Sequence, residues 1–201
     1  MILEGIVTTH NPDGSVNISP MGPIVDEPMR RIVLRPFRTS TTYANLRRTS
    51  VGVLHVTDDV LLFAQAAVGQ PNPLPAIMPV AEALAAGSVE DLALDVRSAP
   101  VLADACRWYA FRVTEVDDSA ERANLAAEVV AAGTIRDFFG FNRAKHAVIE
   151  AAILATRLGI LAREEIDDRM QRLASWVEKT GGPREVAAFA FLRDWIAARH
   201  S

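Results

Sequence analysis

The chain has 201 residues, half of them apolar and 23% charged, which suffices to bury a core without disulfides and excludes a disordered chain. Its 21 Lys and Arg against 25 Asp and Glu give a formal net charge of −4, so no global basic field draws it to nucleic acid and any anion site must be local. The single cysteine, Cys106, excludes an internal disulfide, and together with four scattered histidines it argues against a zinc site, so no metal is expected.

Residues 1–5 lack the basic start and long apolar run of a signal peptide. The longest apolar stretch with no charge, residues 60–77, is broken by Gln65, Gly69, Gln70, Asn72 and the prolines 71, 73 and 75, so it cannot span a bilayer. A cytoplasmic protein without a membrane partner is the expectation.

In chain order, residues 2–9 are rich in β-branched side chains, Asn11-Pro12-Asp13-Gly14 is a turn signal, and residues 16–19 alternate apolar and polar. Together they predict an opening hairpin. Residues 31–35 and 51–56 read as further strands. Between them Ser40 or Thr41 can cap a short helix through Tyr43, Ala44, Asn45 and Leu46. Asp58 or Asp59 can cap another over 61–68, closed by Gly69, and residues 70–79, with four prolines, read as a loop. Residues 107–116 form a long strand, with Trp108, Ala110, Arg112 and Thr114 on one face and Tyr109, Phe111, Val113 and Val116 on the other, largely buried one. Residues 123–135 have a helical composition, but Gly133-Thr134 and the neighbouring strands favour β.

From Phe141 onward the period changes. Ala147, Ile149, Ala152, Ile153, Leu154 and Leu158 mark a helix that Gly159 can close. Residues 164–179 are amphipathic, with Ile166, Met170, Leu173 and Val177 on one stripe. Gly181-Gly182-Pro183 breaks that pattern and opens a last helix through Val186, Phe189, Leu192 and Ile196. The expected class is α+β, mainly β: a β-rich domain over 1–140, then a helical subdomain over 141–201.

Three segments carry candidate chemistry. Asn17-Ile18-Ser19-Pro20-Met21-Gly22 ends a strand in small polar residues and a proline. It is either a loop closing that strand or a ledge whose main-chain groups can hydrogen-bond a flat heteroaromatic ring. Arg35 and Arg38 stand beside Thr39, Ser40, Thr41 and Thr42, just before a helix. A phosphate monoester needs such guanidinium and hydroxyl donors at a helix N-terminus. An ordinary N-cap with solvated arginines accounts for one or two of those hydroxyls, but poorly for four. Asn142-Arg143-Ala144-Lys145-His146 opens the first C-terminal helix, either to meet an anion or to pair with acidic side chains, because a basic helix start runs against the macrodipole.

Among the isolated candidates, His55 reads as a hydrogen-bonded interior histidine and Cys106 as a small buried hydrophobe. His10 reads as exposed beside the first turn. Glu4 stands out in an otherwise apolar strand, facing the site or pairing with an arginine. Trp108 and Tyr109 suit the core or a subunit interface.

The run Met1-Ile2-Leu3-Glu4-Gly5-Ile6-Val7-Thr8-Thr9, the Asp13-Gly14 turn and Asn17-Ile18-Ser19-Pro20-Met21-Gly22 resemble the opening of the FMN-binding split barrels. They are most similar to a widespread family of that fold known only as a domain of unknown function. Residues 38–46 and 142–150 resemble the same family, so the likeness spans nearly the whole chain. It implies a six-stranded antiparallel split barrel, homodimeric, with FMN near the subunit interface. On that likeness Asn17, Ser19, Pro20 and Met21 line the isoalloxazine, and Arg38, Thr39, Ser40, Thr41 and Thr42 hold the phosphate with Asn45 nearby. Arg35, Asn142 and Arg143 are further contributors, reaching across the dimer. The resemblance names no substrate and no catalytic acid or base. Three readings stay open: an oxidoreductase acting on an unidentified small molecule, an NAD(P)H-dependent flavin reductase with exchangeable FMN, and a non-catalytic FMN carrier.

Overall fold

A computed structural model describes residues 1–84 and 90–199. The chain divides into two compact units, Met1–Thr57 with Pro75–Asp137, and Asp58–Leu74 with Phe138–Ser201.

The first unit begins with the expected hairpin of β1 (Gly5–His10) and β2 (Val16–Met21). Its turn is built as the sequence dictates: Gly14 takes a left-handed φ of 85°, and the Asp13 carboxylate accepts from both the amide and the hydroxyl of Ser15. Then follow β3 (Ile24–Val25), β4 (Arg31–Leu34), α1 (Thr41–Thr49) and β5 (Val51–Val56). After α2 (Val60–Val68), which belongs to the second unit, come β6 (Ile77–Pro79), the single turns α3 (Val80–Ala83) and α4 (Leu94–Arg97), and β7 (Pro100–Leu102). The long β8 (Arg107–Asp117) and β9 (Asn124–Thr134) complete the unit.

Seven strands pair antiparallel in the order β2-β1-β5-β8-β9-β4-β3. The class is mixed α+β, with a curled half-barrel sheet of seven strands in place of the six expected. The seventh, β3, holds only two residues after Pro23, too few for any alternation to register in the sequence. The prolines of residues 70–79 likewise concealed β6, which pairs with β7 in a separate two-stranded sheet.

Both faces of the large sheet are covered. Val7, Leu34, Leu54, Phe111 and Leu125 pack with Leu46 of α1 on one side. On the other, Val53, Trp108 and Ala110 pack with Val80, Val96 and Val101. This explains why β8 buries residues of both parities at its start, with Trp108 and Phe111 both fully buried. Close packing also dictates two glycines: a Cβ on Gly52 would come within 2.6 Å of the Phe111 ring, and one on Gly133 within 2.7 Å of the Trp108 indole.

The second unit contains α2, α5 (Arg143–Ala155), α6 (Arg163–Thr180) and α7 (Pro183–Ala197). Asp59 caps α2 by accepting from the amides of Leu61 and Leu62, both at 3.1 Å. Helix α5 ends at Ala155, short of Gly159: Thr156 caps it, and Gly159, with φ 81°, sits in the turn beyond. Lys145 joins three elements of the unit, bonding the Asp58 carbonyl at 2.7 Å and the Glu185 carboxylate at 2.9 Å. No helix among the described residues is long and apolar enough to cross a membrane, and none of them form a metal-binding group of three or more His, Cys, Asp or Glu.

Candidate functional site

The register of β1 against β2 sorts the first group of expected site residues by face. Thr9 stands opposite Asn17, Val7 opposite Ser19 and Gly5 opposite Met21, so Asn17, Ser19 and Met21 project from one face, and Ile18 and Pro20 from the other. The first is the face on which α1 packs, and Met21 leans on the core beneath that helix. Strand β2 is an edge of the sheet, so the main-chain groups along its outer side meet no neighbouring strand among the described residues.

Asn17, Thr42 and Asn45 are 5%, 2% and 2% exposed and form a single polar cluster with the fully buried Thr9. Asn17 Nδ2 donates to Thr42 Oγ1 at 3.0 Å and to Thr9 Oγ1 at 3.3 Å. Asn45 Nδ2 donates to the same Thr9 oxygen at 3.0 Å and to Asn11 Oδ1 at 2.8 Å. Buried amide groups require such partners, because an orphaned donor costs about 1–3 kcal/mol. Arg48 adds a bond to the His10 carbonyl. The cluster therefore lashes α1 to the β1–β2 hairpin, with the amide donors of Asn17 and Asn45 engaged inside the protein.

Around the N-terminus of α1 the other expected residues face water. Arg38, Thr39 and Thr41 are exposed and Ser40 is half-buried. Ser40 is the N-cap, its Oγ accepting from the Tyr43 amide at 3.2 Å. The loop leading to it is anchored by Ser40 N to Phe37 O at 2.9 Å and Arg38 N to Glu121 O at 3.1 Å. The Arg38 guanidinium and the hydroxyls of Thr39 and Thr41 make no hydrogen bond or ion pair with the described residues. The positive end of a nine-residue helix, an uncommitted guanidinium and free hydroxyls thus share one exposed surface. Arg35 is also exposed, and its carbonyl accepts from Arg122 Nη1 at 3.3 Å, while the Arg122 guanidinium lies 3.8 Å from the centre of the Phe37 ring.

The turn between β8 and β9 closes against this loop. Tyr43 Oη donates to Asp118 Oδ2 at 2.7 Å. That bond is the main reason why the tyrosine titrates above its ordinary range and the carboxylate below its own; Arg47 and Arg38 further favour the Asp118 anion. Thr9, Asn11, Arg47 and Asp118 are absent from the sequence-based set. Asp118 has no local signal, since it is 75 residues from its tyrosine. Arg47 is one turn from Tyr43, a spacing that puts both on one side of α1.

The remaining expected residues stand elsewhere. Asn142 and Arg143 belong to the second unit. Asn142 caps α5, its Oδ1 accepting from the Lys145 amide at 3.1 Å and its Nδ2 donating to Thr180 O at 3.0 Å, while Arg143 is exposed on the first turn. His55 is fully buried: its Nδ1 donates to Ile6 O at 3.1 Å, and the Leu102 amide donates to its Nε2 at 3.0 Å. Burial pushes it down to about 4, so it is neutral near pH 7 and joins β1 to β7. His10 is half-buried, its Nε2 at 3.0 Å from Ser98 O, and Cys106 is buried.

Residues 3–136 match the family model described as the N-terminal domain of a protein of unknown function (DUF447), and residues 142–194 match a second model of the same description. Curated proteins provide no match. Among solved structures, the FMN-bound protein MM1853 from Methanosarcina mazei superposes with a TM-score of 0.78 at 22% identity, over 96% of this chain and 94% of its own. The flavin reductase HpaC, complexed with NADP+, superposes with a TM-score of 0.51 at 16% identity, over 69% of this chain and 81% of its own. These two likenesses are of fold. The family models cover the chain almost from end to end, and it belongs to the DUF447 family.

Proposed function

We propose that the protein is an FMN-binding flavoprotein, a homodimeric and cytoplasmic oxidoreductase acting on a small molecule. The observation that carries this reading is the surface at the N-terminus of α1, where Arg38, Thr39, Ser40 and Thr41 offer the donors a phosphate monoester requires. The FMN bound by the Methanosarcina mazei relative, which shares the fold over 96% of this chain, supports it. On this reading Ser19, Pro20 and Met21 of the edge strand line the isoalloxazine, through main-chain groups more than through side chains. Asn17, Thr42 and Asn45 stand behind the contact surface and hold its two halves in register. Asn142 and Arg143 contribute from the partner subunit of the dimer, which rests near the flavin. The two matched models support dividing the sequence into domains 1–140 and 141–201. Bound FMN supplies the electron and hydride chemistry; the chain binds, orients and shields it.

The test is the absorption spectrum of the purified protein before and after denaturation. Bands near ~370 and ~450 nm with FMN released support the reading. A colourless protein that takes up no added FMN refutes it. Arg38→Ala should weaken FMN binding by about ten- to a hundredfold, the loss of a charge-assisted contact, and leave riboflavin binding unchanged. Equal affinity of the native protein for FMN and riboflavin would remove the phosphate site altogether. The fold shared with the NADP+-complexed reductase favours a second reading, in which FMN exchanges as a substrate of NAD(P)H-dependent reduction. NAD(P)H consumption with freely exchanging FMN selects that one, whereas a bound flavin that no nicotinamide reduces selects a carrier.

A further inference from the structure

The anion-binding surface has a carboxylate built into its border. The β8–β9 turn reaches the first turn of α1 through the Tyr43 Oη–Asp118 Oδ2 bond of 2.7 Å. It is fastened to the preceding loop by the Arg38 N–Glu121 O bond of 3.1 Å and by the bridge between Phe37 and Arg122. Asp118 is thereby fixed beside the same loop that presents Arg38, and beside the side of α1 that carries Tyr43 and, four residues on, Arg47. Neither guanidinium forms an ion pair with it within 4 Å, so neither is neutralised by direct contact, yet both act on its charge. Arg38, Arg47 and Asp118 together carry a net charge of +1, while a phosphate monoester near pH 7 brings between one and two negative charges.

We propose that Asp118 is a specificity-determining residue of the phosphate end: held by Tyr43 beside Arg38 and Arg47, its carboxylate opposes the phosphate charge and limits how tightly a phosphate ester binds. The inference rests on the reading of Arg38 as a phosphate contact. Asp118 would act on the ligand through its charge and the field of the two arginines, as a residue of the binding surface and not of the chemistry. It selects by charge, so a neutral flavin without phosphate is indifferent to it.

Titration of FMN and of riboflavin into the native protein, Asp118→Asn and Tyr43→Phe, followed by quenching of flavin fluorescence at two salt concentrations, tests this. Asp118→Asn keeps an oxygen acceptor for Tyr43 and removes only the charge. It should tighten FMN about three- to tenfold at low salt, less at high salt, and leave riboflavin within about twofold. Tyr43→Phe keeps the carboxylate and should bring no comparable gain, so a tightening seen equally in both variants overturns the proposal, as does unchanged or weakened FMN binding in Asp118→Asn. The failures are distinguishable. If the native protein prefers FMN to riboflavin and Arg38→Ala erases that preference, but Asp118→Asn does nothing, only the role of Asp118 falls. If the native protein shows no preference, the phosphate reading falls with it.

Discussion

The bond between Asn17 and Thr42 is the point at which the framework of the site is most open to test. Thr42→Val keeps the shape of a side chain that is 2% exposed and replaces only the hydroxyl that accepts from Asn17 Nδ2 at 3.0 Å. Valine and threonine have similar helix propensities, so the backbone of α1 is little affected. What remains is one buried amide hydrogen without a partner, a loss of about 1–3 kcal/mol. For a chain of this size a loss of about 2 kcal/mol lowers Tm by roughly 4–8 °C. Asn17→Ala removes the donor, and in that background Thr42→Val should cost about 0.5 kcal/mol or less, giving a coupling energy of about 1–2 kcal/mol. Urea unfolding of the four proteins, followed by far-ultraviolet circular dichroism, measures the cycle. Equal losses in the two backgrounds would refute the view that this bond ties α1 to the hairpin.

Two further expectations come from the core. His55 has a folded-state value of about 4 against 6.5 when free, so the unfolded chain binds the extra proton between those values. Its contribution is fully present above pH 6.5 and is lost as the pH falls toward 4, on the order of 3 kcal/mol in all. Stability measured by urea unfolding should therefore decline from pH 7 to 4.5, before the carboxylates of Asp95 and Asp118, held below their ordinary range, begin to matter; a flat profile over that span contradicts the assignment. Gly133→Ala puts a methyl group 2.7 Å from the indole of a fully buried Trp108, and this overpacking should cost about 1–3 kcal/mol. A thermal melt indistinguishable from the native one would show that the indole has room to move.

The parts of the fold that were legible in the sequence are those with a local cause. Asn11-Pro12-Asp13-Gly14 specifies a turn by the φ of Gly14 and the acceptor of Asp13, and the hairpin formed around it. Ser40 and Asp59 are helix caps, and both helices began where those side chains could accept amide hydrogens. The strand over residues 124–134 followed from Gly133-Thr134 despite an alanine-rich composition, because partners on both sides supplied the ladder. What was not legible depends on distant partners or on too few residues. Strand β3 is two residues long, β6 is masked by prolines, and α2 groups with helices that begin 75 or more residues later. A glycine such as Gly159 can close a helix, but the carbonyls of Ala152 and Leu154 meet a donor earlier, in the amide of Thr156, and α5 ends there.

For the candidate site, residue type pointed to β2 and the start of α1, which the fold brings together, but did not separate frame from surface. Periodicity would have done so. On β2 the two-residue alternation splits Asn17, Ser19 and Met21 from Pro20. On α1, Thr42, Asn45 and Leu46 are spaced as one inward stripe, whereas Thr41, Ala44, Arg47 and Arg48 fall on the outer side, and burial follows that division. An inward polar stripe must meet polar partners, and Thr9, on the strand opposite Asn17, is the only position in the β1–β2 register where one hydroxyl accepts from both asparagines. The division has a physical consequence for binding. On the proposed reading, substitutions on the inward stripe should loosen the helix and weaken every ligand that needs the β2 ledge and the helix end together, with or without a phosphate. On the same reading, substitutions at Arg38 or Asp118 should act through charge and discriminate between phosphorylated and unphosphorylated ligands. The ratio of the two affinities, more than either affinity alone, therefore assigns each residue to the frame or to the surface.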